Sequence, residues 1–162
     1  MYQTDNDTTR PDQLPTALRA ALWPLAAAGI GSAATQAGVK SWYPKLDKPE
    51  FNPPSWVFGP VWTALYVLIA IAGWRIWMIE PASRAMRAWF AQMLVNWAWS
   101  PVFFLGEMLW GALAVIVVML ALIVTFIVLA RKIDRIAAWL FVPYLAWVSF
   151  ATLLNLSIAL LN

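Results

Sequence analysis

The chain has 162 residues, of which 62% are hydrophobic and 12% charged, with a formal net charge of +3 and a mean hydropathy of +0.68; its apolar runs exceed what the core of a soluble domain of this size can bury. It contains no cysteine and no histidine, so disulfide frameworks, thiolate nucleophiles, imidazole bases and the usual zinc, copper or haem ligands are excluded. The positive residues stand in short connections beside apolar segments, which assigns them to membrane topology and not to nucleic acid.

Residues 1–17 are polar, carry two prolines and lack the basic-then-apolar order of a secretory signal; they read as a solvated tail ahead of a membrane domain over 18–162. Crossing a hydrocarbon layer of about 30 Å takes roughly 20 helical residues. Five windows qualify, at about 18–38, 56–78, 85–105, 109–130 and 136–160. Backbone amides cannot stay unpaired in lipid, and unbroken runs such as Leu109 to Ala130 lack the alternation of a barrel strand. The expected fold is therefore all-α, a bundle of five transmembrane helices in one domain.

The first span is dense in Ala, Gly and Ser, and Ala27/Gly31 and Ala34/Gly38 have the spacing that lets helix backbones approach closely. That spacing suits tight packing within the bundle or a dimer seam. Pro24 is expected to bend it. The connection 39–55 carries prolines, lysines and rings, KSWYPKLDKPEFNPPSWVF from Lys40 to Phe58, and is expected to form a stiffened lid.

In the second span Trp62, Tyr66, Ile69 and Gly73 fall within a sector about 60° wide. Trp74, Trp77, Trp89, Trp110 and Trp139 lie near predicted span ends and read as an interfacial belt. Arg75, near an inner helix end, is expected to snorkel. The third span places Gln92, Asn96, Trp99 and Phe103 on one face with Ser100 beside them. An amide in hydrocarbon costs several kcal/mol unless paired, so these groups face protein, water or a ligand. Their alternative role is to join helices. Pro101 is expected to loosen the helix near Trp97.

The fourth span is apolar all round apart from Thr125 and reads as a lipid-facing wall. The fifth contains Pro143, with Tyr144, Trp147, Ala151 and Asn155 on one stripe about 80° wide. Lys and Arg beside the span ends divide eight against three. This places the N terminus and the loops 79–84 and 131–135 inside, and the C terminus outside. In that topology Trp62, Tyr66, Asn96, Trp99, Ser100, Phe103, Trp147, Ala151 and Asn155 share the midplane or outer half beneath the loop. Rings and a few polar groups at one depth are what a site for a flat, mostly apolar ligand requires.

Five ordered motifs carry a resemblance over about residues 20–158. They are W-Y-x-x-L-x-K-P (Trp42 to Pro49), P-P-x-W-x-F (Pro53 to Phe58), V-W-T-x-L-Y (Val61 to Tyr66), Q-x-x-x-N-x-x-W-S-P-x-F-F (Gln92 to Phe104) and F-V-P-Y-L-x-W-x-x-F-A-x-x-L-N (Phe141 to Asn155). The chain resembles the translocator protein family, the tryptophan-rich sensory proteins or TspO/MBR, once named for the peripheral benzodiazepine receptor. The resemblance implies a five-helix bundle, commonly dimeric, that binds protoporphyrin IX and haem, and in animal members cholesterol and synthetic drugs, under the first loop. It implies ligand-lining roles for Trp42, Trp62, Tyr66, Asn96, Trp99, Phe103, Trp147 and Ala151. The apolar-Tyr-Arg cholesterol motif of animal members has no counterpart in Leu154 to Asn162, which puts sterol binding by that route in doubt.

The expected function is a membrane receptor or carrier for tetrapyrroles with a regulatory or stress-sensing outcome, acting as a homodimer in the lipid membrane, without nucleic acid. No cofactor is required; porphyrin or haem would be the ligand, and a sterol-like small molecule is the other partner class. Lys40, Lys45 or Lys48 could pair with propionates. No metal site is expected, recognition being of the macrocycle, with Tyr66 as the residual alternative for iron. Two other readings stay open. Light-dependent breakdown of bound porphyrin, reported for some relatives, would use Trp62 and Trp147, although no general acid–base pair is visible. Transport lacks a visible inverted repeat or a buried ion pair.

Overall fold

The computed structural model describes residues 42–162, and the regular elements among them are all helical, with no strand. The tail, the predicted first span with its small-residue pairs and Pro24, and Lys40 lie outside the described residues. A short 3-10 turn, Tyr43–Lys45, is followed by α1 (Ser55–Ile79), α2 (Arg84–Ser100), α3 (Leu109–Ala130), α4 (Arg135–Leu140) and α5 (Val142–Leu161). Pro101–Leu105 prolongs α2 as a π-helical turn. Among the described residues, three stretches are long and apolar enough to cross a membrane: Ser55–Ile79, Leu109–Ala130 and Arg135–Leu161, the last combining α4 and α5. The predicted windows 56–78, 109–130 and 136–160 fall on them.

Local chemistry sets the helix ends. Ser83 caps α2, its hydroxyl accepting from the Met86 amide at 3.1 Å. Asp134 caps α4 by accepting from the Ile136 and Ala137 amides at 2.8 and 3.3 Å. Both satisfy amides that the first helical turn leaves unpaired. Phe141 separates α4 from α5, with Pro143 in the first turn of α5, where a missing amide hydrogen costs nothing.

The helices correct four expectations. α3 is not a plain lipid wall: Ala112, Ile116, Met119, Ile123, Phe126 and Ala130 are buried along one stripe at helical spacing, against α2 and α5. Val117, Val118, Val124 and Val128 on the remaining surface are exposed. Because nearly every residue of this span is apolar, hydropathy could not tell one face from the other. Trp89 is not in the interfacial belt. It is 3% exposed, donates to the Ile69 carbonyl of α1 at 3.0 Å and packs on Gly73, where an added Cβ would meet its ring at 2.5 Å. Glycine is required there by the approach of the indole. Trp74, Trp110 and Trp139 are exposed, as a belt requires, and Trp77 is half-buried against Phe90.

The loosening at Pro101 falls after the proline: the Gly106 amide reaches back to the Pro101 carbonyl at 2.9 Å, a five-residue step that widens the turn. Arg75 does not snorkel freely. Its Nε donates to Asp134 Oδ2 at 2.6 Å, with the carboxylate 6% and the guanidinium 32% exposed. The pair ties the end of α1 to the start of α4. It is a buried or part-buried ion pair that sequence reading did not foresee, located at the helix ends and away from the middle of the spans.

Candidate functional site

α1 packs chiefly on α4 and α2 and only lightly on α5. Where it meets α2 and α5, polar groups form one connected network. The Tyr66 hydroxyl donates to Asn96 Oδ1 at 2.8 Å, and Asn96 Nδ2 donates to the Tyr144 oxygen at 2.8 Å. Tyr144 in turn donates to Gln92 Oε1 at 3.1 Å. Met119 of α3 places its sulfur 3.4 Å from Asn96 Nδ2 and 3.3 Å from the Tyr144 hydroxyl. Four helices thus meet in an amide–phenol cluster, in which Gln92 and Tyr144 are completely buried. Each buried polar group in hydrocarbon needs a partner. Gln92 Oε1 and both ends of the Asn96 amide reach theirs because the two residues stand one turn apart on one face, whereas Gln92 Nε2 is buried without one among the described residues.

Rings surround this cluster. Trp62 lies tilted against Tyr66 at 5.4 Å between centroids and edge-on to Tyr144 at 6.2 Å. Trp147 of α5 meets Phe58 of α1 edge-on at 5.8 Å and Phe150 at 5.6 Å. Trp62, Tyr66 and Trp147 are all half-buried, so part of each ring remains uncovered. Ala151, one turn beyond Trp147, is also half-buried and packs at the margin of the core.

A second group lies toward the loop. Trp99 stacks on Phe103 at 5.0 Å, and its indole donates to Asn155 Oδ1 at 3.3 Å. Asn155 donates onward to the Leu109 carbonyl at 3.1 Å. Trp42 sets its edge on Phe103 at 5.4 Å, while Tyr43 meets Phe103 and Phe104. The π turn lets neighbouring Phe103 and Phe104 both be buried. Ser100 is half-buried at the start of that turn.

The loop is fastened at several points. The Tyr43 hydroxyl donates to Asn52 Oδ1 at 2.8 Å; burial raises the Tyr43 pKa, partly offset by that hydrogen bond. Lys48 donates to the Leu46 carbonyl at 2.7 Å and lies 4.9 Å from the centre of the Tyr43 ring. Phe51 packs edge-on to Phe150. The Asn162 side chain accepts from the Asp47 amide and donates to the Asp47 carbonyl, both at 3.0 Å, linking the loop to the end of α5.

The predicted residues therefore fall into two touching sets: Trp62, Tyr66 and Asn96 in one, Trp42, Trp99 and Phe103 in the other. Trp147 adjoins both through Phe58, which packs with the loop-side cluster. Sequence reasoning left Tyr144, Gln92 and Met119 out of the site and placed Asn155 at its depth without making it a ligand residue. Tyr144 had a signal in the Trp147 stripe and Gln92 in the Asn96 face; Met119, an apolar residue in an apolar span, had none. Among the described residues no cluster of three or more His, Cys, Asp or Glu side chains could hold a metal ion.

The TspO/MBR family profile matches residues 20–161. The chain is 41% identical to the tryptophan-rich sensory protein of Cereibacter sphaeroides over 121 residues, 75% of this chain and 77% of that protein. It is 39% identical to the tryptophan-rich protein TspO of Archaeoglobus fulgidus, covering 85% and 91% of the two chains, and 34% identical to the human translocator protein, covering 70% of each. With a match over most of its length and three helices suited to crossing a bilayer, the chain belongs to the TspO/MBR family and is an integral membrane protein.

Proposed function

We propose that the protein is a membrane receptor and carrier for tetrapyrroles such as protoporphyrin IX and haem, with a sensory or regulatory outcome. The observation that carries this reading is the set of half-buried rings, Trp62, Tyr66 and Trp147, on two helices beside a hydrogen-bonded polar network. Large flat π surfaces with one uncovered side stack on a flat ligand and need few polar contacts to orient it. The names of the relatives, a sensory protein and a translocator protein, agree with a receptor role. In this reading Trp42, Trp99, Ser100, Phe103 and Ala151 complete the lining and residues 42–54 cover it. Of the loop lysines among the described residues, Lys45 is exposed and available for a propionate, while Lys48 donates to the Leu46 carbonyl.

The protein is further proposed to act as a homodimer with its N terminus inside and its C terminus outside. A reporter fused after Asn162 that proved cytoplasmic would refute this topology. The functional test is titration of the purified protein with protoporphyrin IX while following tryptophan emission. Saturable quenching that weakens about tenfold in Trp147→Phe is expected; absence of saturable quenching, or quenching unchanged by that substitution, contradicts the proposal. Flux in liposomes separates carriage across the bilayer from binding alone.

A further inference from the structure

A hydrogen-bond network has a direction, and here it can be read from its ends. A thioether sulfur accepts and has no proton to give. Met119 Sδ lies 3.4 Å from Asn96 Nδ2, so the nitrogen end of that carboxamide faces α3, where it also donates to the Tyr144 oxygen at 2.8 Å. Tyr144 directs its own proton to Gln92 Oε1 at 3.1 Å and to the donor-free Met119 Sδ at 3.3 Å, while Gln92 Nε2 is buried and takes no part in the network. The Asn96 carbonyl oxygen is consequently turned toward α1, where it takes the Tyr66 proton at 2.8 Å. A phenol has one proton, and with it committed Tyr66 has lone pairs alone to offer elsewhere. Its half-buried ring lies beside Trp62.

We propose that Gln92 and Met119 are positioning residues that set the polarity of the site. Acting through Tyr144 and Asn96, they hold the Tyr66 hydroxyl as a hydrogen-bond acceptor, so the site selects flat ligands that present an N–H or O–H donor to it. The inference rests on reading Trp62, Tyr66 and Trp147 as a ligand surface, and it adds the class of polar group which that surface takes.

Carbazole and dibenzofuran test it, being tricycles of one outline that differ in carrying a ring N–H donor or a ring oxygen acceptor. Their affinities are measured by equilibrium dialysis against the full chain in detergent micelles, with empty micelles as the blank. Wild type is expected to bind carbazole about fivefold more tightly, the worth of one net hydrogen bond. Tyr66→Phe should reduce the preference to below about twofold by weakening carbazole more than dibenzofuran, which has no donor to lose; a circular dichroism spectrum matching wild type shows that the variant is folded. Gln92→Leu combined with Met119→Leu should abolish the preference in the same way. Equal weakening of both tricycles in that double variant would make the two residues packing elements and overturn the proposal. So would a preference that survives it. Wild type that binds both tricycles without discrimination sinks the polarity while leaving the ligand surface standing. If neither binds, the ligand surface fails and the inference with it.

Discussion

Asn96 is the residue on which the polar network turns, because its one carboxamide serves hydroxyls from two other helices. Replacing it with leucine orphans Tyr144 on its acceptor side and Tyr66 on its donor side. Asn96→Leu is expected to cost about 2 kcal/mol or more, whereas Gln92→Leu, which leaves Tyr144 with Met119, costs less than about 1 kcal/mol. Unfolding titrations in mixed micelles measure both; equal effects would show that the amides act independently. Gly73 tests a different contact: an alanine Cβ would enter the Trp89 ring and pull the indole from the Ile69 carbonyl. Gly73→Ala is expected to destabilise by about 1–3 kcal/mol, with a much smaller effect when Trp89 is already phenylalanine. The Asn96 set was legible because polar and aromatic residues in an apolar helix reveal their face by period. Trp89 was not, since an indole near a span end looks the same whether it meets headgroups or a glycine on the next helix.

Helix ends and joints carry strains and charges that periodicity does not encode. Glu107, between the π turn and α3, has φ 53°, a left-handed backbone that side chains with a Cβ adopt at a cost. Glu107→Gly is expected to leave stability unchanged or raise it by up to about 1 kcal/mol, and Glu107→Val to lower it by a similar amount. A loss with glycine, read by the same titration, would contradict this. Asp134 joins α1 to α4 through Arg75. Burial disfavours its charge, yet the Arg75 hydrogen bond, the Ile136 and Ala137 amides and the Arg75 charge together hold its pKa below the ordinary 3.8. A depressed carboxylate stabilises the fold above its unfolded value and ceases to do so as pH falls through its folded one. Asp134→Asn, which keeps a capping oxygen, is expected to lose about 1 kcal/mol at pH 7, with the difference vanishing as pH falls below 3.8. A difference that persists in acid would assign the effect to packing. The ion pair carried no sequence signal, because the cation of Asp134 stands far away in the chain, on α1. The stripe of α3 was equally hidden, its buried and exposed faces being built from the same residue types.

Taken together, the described residues place three predicted spans where hydropathy set them and bring stripes from α1, α2 and α5 into contact. The convergence was legible because each stripe is marked by polar or aromatic residues and short connections force neighbouring helices to run antiparallel. The role of the loop was half legible: prolines and rings announced a stiff cover, but its attachment to Asn162 depends on backbone groups of Asp47 that carry no sequence signal. Both features place the uncovered sides of Trp62, Tyr66 and Trp147 beneath one fastened loop in the proposed reading. A structure of the protein in lipid nanodiscs with protoporphyrin IX tests this most directly. The macrocycle is expected against Trp62, Tyr66 and Trp147, below residues 42–54; a macrocycle found on the lipid-facing valines of α3, or absent with those three rings packed against acyl chains, would contradict it.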